Sequence, residues 1–128
     1  MSAMSNYLEN EILDHILGTG AYTAPTTVYV GLSTGSFGEG NTGTELTGNA
    51  YARVSASFGA ASSGTASNDA AIEFTAATGD WGSVSHFGLF DASTGGNLLI
   101  HGAFTTAKTI ASGDVLKIAV GDLDITAD

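Results

Sequence analysis

Hydrophobic residues are densest in two short runs, residues 83–90 and 97–104, which flank a polar segment. That segment reads Asp-Ala-Ser-Thr-Gly-Gly, and it is typical of a turn because Asp and Ser hydrogen-bond nearby backbone while glycine accepts positive φ. The pattern therefore predicts a β-hairpin. Both runs are apolar at nearly every position, which is typical of strands covered on both faces, inside a sandwich or at an interface. We therefore count three large side chains in and beside this hairpin among the candidate interface residues: Trp81, Phe87 and Phe90.

Residues 5–17 show helical spacing of apolar side chains and are predicted to form the one α-helix. Ser5 or Asn6 could cap its start, and Gly18 supplies its end. A helix of about 12 residues is marginal by itself, so its apolar face must dock on the sheet or on a neighbouring subunit. The candidate interface residues on this face are Leu8, Ile12, Leu13, Ile16 and Leu17.

Further strand-like runs recur at intervals of about ten residues, as in β-sandwiches and barrels. They lie at residues 26–33, 51–58, 70–75, 105–110, 115–120 and 123–127. We therefore predict a mainly β protein, an antiparallel β-sandwich of jelly-roll or immunoglobulin-like type with one short N-terminal α-helix. Residues 1–128 are expected to form a single domain. The Gly/Ser-rich residues 59–68 are predicted as a loop, and the long polar stretch at residues 35–49 as a functional or mobile loop.

The net charge of the chain limits the classes of molecule that it is expected to bind. The net charge is −10, and Arg53, Lys108 and Lys117 are the only cationic side chains besides histidine. Three cations cannot neutralise many phosphates, so nucleic acid is not an expected partner, and neither is a membrane. There is no Cys, so disulfides and thiolate metal sites are excluded. The mean hydropathy of +0.19 is high for so acidic a chain and indicates apolar surface at an interface.

Two pairs of side chains suggest metal binding. If Phe90 lies opposite Asn97 in the hairpin, His86 faces His101 across the strands, and the pair could hold Zn²⁺ with a third ligand. The alternative is that both are ordinary hydrogen-bonded histidines. Asp122 and Asp124 could share Ca²⁺, or could lie on a solvated strand face. We favour the structural interpretation of both pairs and expect no metal and no cofactor.

No catalytic arrangement emerges from the sequence. There is no G-x-S-x-G elbow, and the Gly-rich loop lacks the G-K-[ST] of a phosphate cradle. The carboxylates are spread along the chain, mostly in predicted turns, where Asp is favoured for structural reasons. We therefore expect a protein that is not an enzyme and has no catalytic residues.

Several blocks of the chain, in this order, resemble small virion structural proteins of tailed bacteriophages, often labelled tail-fibre-like. The blocks are YLENEILDHILGTGAYTAPTTVYVGLST, ELTGNAYAR, FGAASSGTASN, DWGSVSHFGLFDASTGGNLLIHG and SGDVLK. The resemblance covers almost the whole chain. It implies a non-enzymatic structural role in the virion, after assembly in the host cytoplasm, and it brings no catalytic residues.

Within that role, we predict a capsid decoration (cement) protein, bound in many copies to the outer capsid shell as a trimer or dimer. The chain is short and self-contained and lacks the repetitive shaft of a fibre, which favours decoration. The alternative is a tail-fibre or baseplate component, and a further hypothesis is a module that binds host-surface carbohydrate through residues 35–49. The expected partners are other copies of the chain and a phage capsid or tail protein.

Overall fold

The structure is a computed structural model that describes residues 2–127. It contains one helix, α1 (Asn6–Leu17), and short antiparallel strands, so the predicted mainly β, sandwich-like fold with an N-terminal helix is confirmed. The strands are β1 (Ser2–Met4), β2 (Val28–Ser33), β3 (Val54–Ala56), β4 (Thr65–Ser67), β5 (Ile72–Glu73), β6 (Gly82–Phe90), β7 (Leu98–Ile110), β8 (Lys117–Ile118) and β9 (Asp124–Thr126).

The main layer is a five-stranded sheet in the order β1-β7-β6-β2-β3, and all its pairings are antiparallel. Two two-stranded ladders, β4-β9 and β5-β8, pack against one face of this sheet. Ser2 joins the layers, because its hydroxyl oxygen accepts a 2.9 Å hydrogen bond from the Thr126 amide. The core between the layers contains Val30, Leu32, Ile72, Phe74, Trp81, Val84, Phe87, Leu89, Leu116, Ile118 and Leu123.

The predicted central hairpin is formed by β6 and β7, and β6 lies between β7 and β2 in the sheet. Its turn is closed by Asp91, whose carboxylate accepts hydrogen bonds from the Asn97 amide at 2.7 Å and the Asn97 side chain at 3.0 Å. Gly95 and Gly96 adopt φ of 62° and 69°, a region that residues with a Cβ rarely occupy. Asp91, Gly95 and Gly96 thus form the turn that the sequence predicts.

Several strand predictions need correction. The runs at residues 97–104 and 105–110 form one strand, β7, and the strands predicted at residues 26–33, 51–58, 70–75, 115–120 and 123–127 are shorter than expected. Two strands were missed, β1 and β4, and β4 lies inside the predicted loop at residues 59–68. Neither has a strong apolar pattern, and each is held by a partner distant in sequence, β7 for β1 and β9 for β4. Tertiary pairing therefore overrides weak local propensity.

The long polar stretch at residues 35–49 packs against the five-stranded sheet, with Phe37 on its second face and Leu46 against the main core. Its Phe37 is 1% exposed and meets the Phe90 ring edge-on at 5.5 Å, beside Leu98, in a second, smaller core. The Leu46 amide donates a 3.0 Å hydrogen bond to the Leu32 carbonyl, and the Ser33 hydroxyl donates to the Thr44 carbonyl at 2.6 Å. These contacts attach the stretch to the sheet, so it is part of the folded structure.

Candidate assembly interface

Helix α1 is attached to the sheet at its N-terminus. Ser5 caps the helix, because its hydroxyl oxygen accepts a 3.2 Å hydrogen bond from the Leu8 amide, and the same hydroxyl donates to the Leu98 carbonyl of β7. The Ser5 amide donates to the Leu99 carbonyl at 2.8 Å. Ser5 is only 1% exposed, so these three hydrogen bonds are shielded from water. The first turn of the helix is therefore held in a defined position.

Beyond this turn, the apolar face of α1 lies in solvent. Leu8 is buried, with 8% of its surface exposed, but four further apolar side chains are not. Their exposed fractions are 37% for Ile12, 56% for Leu13, 71% for Ile16 and 71% for Leu17. The exposure of Leu13, Ile16 and Leu17 argues against the alternative that this face closes its own sandwich, whereas most of the Ile12 surface is covered. A contiguous exposed apolar surface of this kind is typical of an interaction site.

The remaining three candidate interface residues are buried within the chain and not on its surface. Trp81 is 6% exposed, Phe87 3% and Phe90 1%. The Trp81 indole donates a 3.0 Å hydrogen bond to the Asn49 carbonyl, and Phe87 packs against Phe104 at 5.4 Å. The sheet is covered on both faces by the chain itself, so these rings belong to the core.

A polar cluster that sequence reasoning missed joins two loops on the second face of the sheet. Arg53 donates to both carboxylate oxygens of Glu45, through Nε at 2.9 Å and Nη2 at 2.8 Å. Its Nη1 donates to the turn carbonyls of Ala92 and Gly95, each at 2.8 Å. The spacing of Glu45 and Arg53 matches no local motif, so no sequence signal could have identified the cluster.

Tyr51 completes this cluster. Its hydroxyl donates to Glu45 and accepts a 2.9 Å hydrogen bond from the Leu32 amide. Burial is the main cause that raises the Tyr51 pKa well above its ordinary value, and the hydrogen bond to Glu45 raises it further. The only arginine of the chain is thus engaged in holding residues 45–53 against the β6-β7 turn.

The two metal hypotheses receive no geometric support. The hairpin register differs from the predicted one, because His86 lies opposite Ala103 and His101 lies opposite Gly88. His86 Nδ1 is 2.7 Å from the Ser85 hydroxyl, and the Asp124 carboxylate accepts from the Ser67 hydroxyl. Within residues 2–127, no three His, Asp or Glu side chains are grouped as metal ligands would be. The prediction that the protein needs no metal remains a prediction.

The chain was compared with known proteins. It matches the family described as Podophage GP4 fiber I protein gp80 over residues 3–126. No curated protein matches significantly. Among residues 2–127, no helix has the length and apolarity needed to cross a membrane. Because the family match extends over nearly the entire chain, this protein belongs to the Podophage GP4 fiber I protein gp80 family and is a bacteriophage virion structural protein.

Proposed function

We propose that this protein is a non-enzymatic subunit of a podophage fibre and associates with a second copy of itself through helix α1. The description of its family as a fibre protein supports the location. The exposed apolar face of α1 is the observation that most directly supports the assembly role. The absence of a catalytic motif in the sequence supports a structural function.

The attachment of α1 suits it to such a contact. The Ser5 hydrogen bonds and the buried Leu8 hold the first turn against β7, while Ile16 and Leu17 extend into solvent. The helix is thus positioned before association, and little conformational entropy remains to be lost when its apolar face is buried. Burial of the apolar face in a second copy would remove that surface from water, which is the main favourable term in most protein association.

The assembly role can be tested with the double variant Ile16→Ser/Leu17→Ser. Both side chains are 71% exposed, so we expect the variant to fold with unchanged thermal stability but to lose self-association in sedimentation experiments. The matched control is Glu9→Ser/Asn10→Ser, which changes two exposed polar residues on the same helix and should associate normally. Unchanged self-association of the Ile16/Leu17 variant would contradict the proposed role of α1.

Experiments on purified phage particles can distinguish a fibre location from a capsid location. The sequence analysis predicts capsid decoration, but the family description supports the fibre alternative better. For a fibre protein, quantitative mass spectrometry of purified particles should give a copy number per particle that is a small multiple of the tail symmetry, since fibres are arranged around the tail axis. Hundreds of copies, with gold-labelled antibody over the capsid shell, would instead support decoration.

Recognition of host carbohydrate through residues 35–49 has less support. Phe37 is the one aromatic residue in this stretch, and its ring is buried against Phe90. Aromatic rings bind ligands through faces that solvent can reach, and this ring has none to offer. The net charge of −10 likewise supports protein partners rather than nucleic acid.

A further inference from the structure

The outer edge of β7 is covered along only part of its length. On one side β7 pairs with β6, and on the other side β1 pairs with residues 100–102. Within residues 2–127, no further strand lies beside the remainder of this outer edge. The side chains of residues 105–109 are all exposed. A strand edge of this kind can accept an additional strand from another chain.

A cleft of about 370 Å³ lies beside this edge, between β7 and residues 116–122. Its apolar part is formed by Phe104 together with the buried Leu116 and Ile118. Its polar part includes Lys108, Lys117 and Asp122, all exposed. The cleft therefore combines an apolar surface with two positive charges and one carboxylate, and its net charge is positive in a chain of net charge −10.

Within residues 2–127, these two lysines are the Lys and Arg side chains without an ion pair, in a very acidic protein. The chain carries three Lys and Arg residues and a net charge of −10, and Arg53 is paired with Glu45. Two copies of such a chain repel each other across most of their surfaces. Contact at the cleft would differ, because it would bring carboxylates of one copy next to the lysines of the other. Charge complementarity therefore favours an acidic occupant, and a second copy of this chain meets that requirement.

We propose that the outer edge of β7 and the adjoining lysine-bearing cleft bind an acidic, extended segment of a second copy, which adds to the sheet as a strand. This inference rests on the proposed assembly role and adds a second contact to it. The two contacts are separate, because α1 is anchored at Leu99, roughly 20 Å along the strand from Thr106. Two different patches on one chain allow head-to-tail association, which produces rings or filaments.

The charge contribution can be measured by sedimentation with Lys108→Glu/Lys117→Glu. We expect self-association at least about tenfold weaker than in the unaltered protein, since two attractions become repulsions. The control, Lys108→Arg/Lys117→Arg, keeps both charges and should associate normally. Raising the salt to about 0.5 M should weaken association of the unaltered protein through screening. An unchanged dissociation constant for the charge-reversal variant, or a chain that stays monomeric, would overturn the proposal.

Strand addition has its own signature in hydrogen exchange. Amides at residues 103–109 should exchange more slowly when the protein associates, and unchanged exchange there would refute strand addition. The Ile16→Ser/Leu17→Ser variant separates this proposal from the proposed function. If that variant loses association while Lys108→Glu/Lys117→Glu does not, the α1 contact stands and the cleft proposal fails. The reverse result would retain the cleft and reject the α1 contact.

Discussion

The guanidinium carbon of Arg53 lies 3.6 Å from the centre of the Phe90 ring. The same guanidinium forms a two-pronged ion pair with Glu45 and hydrogen bonds to two carbonyls of the β6-β7 turn. Arg53 therefore connects the central hairpin to the long loop at residues 35–49. The planar guanidinium is suited to these contacts because it bonds a carboxylate through two donors while stacking on a ring.

Replacement of Arg53 should be strongly destabilising. The Arg53 and Glu45 side chains are 8% and 23% exposed, so Arg53→Ala leaves a largely buried carboxylate without its partner. We expect the free energy of unfolding in urea to fall by about 3 kcal/mol or more. Arg53→Lys should lie between this variant and the unaltered protein, because it keeps the charge but loses the two-pronged geometry. The exposed control Lys108→Ala should change stability by less than about 0.5 kcal/mol, and a similar small change for Arg53→Ala would contradict the prediction.

Gly31 marks the closest approach of this cluster to β2. A Cβ at this position would lie 2.8 Å from Glu45 Oε2 and 2.9 Å from Phe90 Cε1. Gly31→Ala should therefore lower the free energy of unfolding by about 1–3 kcal/mol through overpacking. The matched control is Gly35→Ala, because a Cβ there would meet nothing within 4 Å. Equal stability of the two variants in urea unfolding would show that the cluster tolerates a methyl group.

Stability at alkaline pH should depend on Tyr51. Its pKa is raised above the ordinary 10.0 by burial and by Glu45, so above about pH 10 the unfolded chain loses a proton that the folded chain keeps. The stabilisation is therefore complete below pH 10 and declines as the pH rises further. The stability difference between the unaltered protein and Tyr51→Phe should shrink by up to about 1.4 kcal/mol per pH unit above pH 10. A difference that stays constant from pH 9 to 12 in urea unfolding would contradict this assignment.

The two ends of α1 should differ in their contribution to the stability of a monomer. Leu8 is 8% exposed, so Leu8→Ala should cost about 2–5 kcal/mol. Leu17 is 71% exposed, and Leu17→Ala should stay within about 0.5 kcal/mol. Urea unfolding at a concentration where the chain is monomeric measures both. An equal cost for the two variants would mean that the whole apolar face packs inside the protein.

Local patterns were sufficient for those elements whose signals lie close together in the sequence. The helix predicted at residues 5–17 is Asn6–Leu17, with Ser5 as its cap and Gly18, at φ of 79°, after its last residue. The hairpin and its turn also follow from nearby residues, because Asp91 bonds Asn97 across a short loop. Helical periodicity, capping and turn chemistry all act over a few residues, so the sequence alone reveals them.

Only the tertiary structure decided the hairpin register and the role of the aromatic side chains. Phe90 pairs with Leu98 and not with Asn97, and an irregularity between Leu89 and Phe90 shifts the pairing by one further residue, so His86 lies opposite Ala103 and not His101. Such shifts depend on how the whole sheet packs, and no local pattern encodes them. Whether an apolar residue is core or interface depends on what covers it. Phe90 is covered by Phe37 and Arg53, which are distant in sequence, whereas Leu17 stays 71% exposed within residues 2–127.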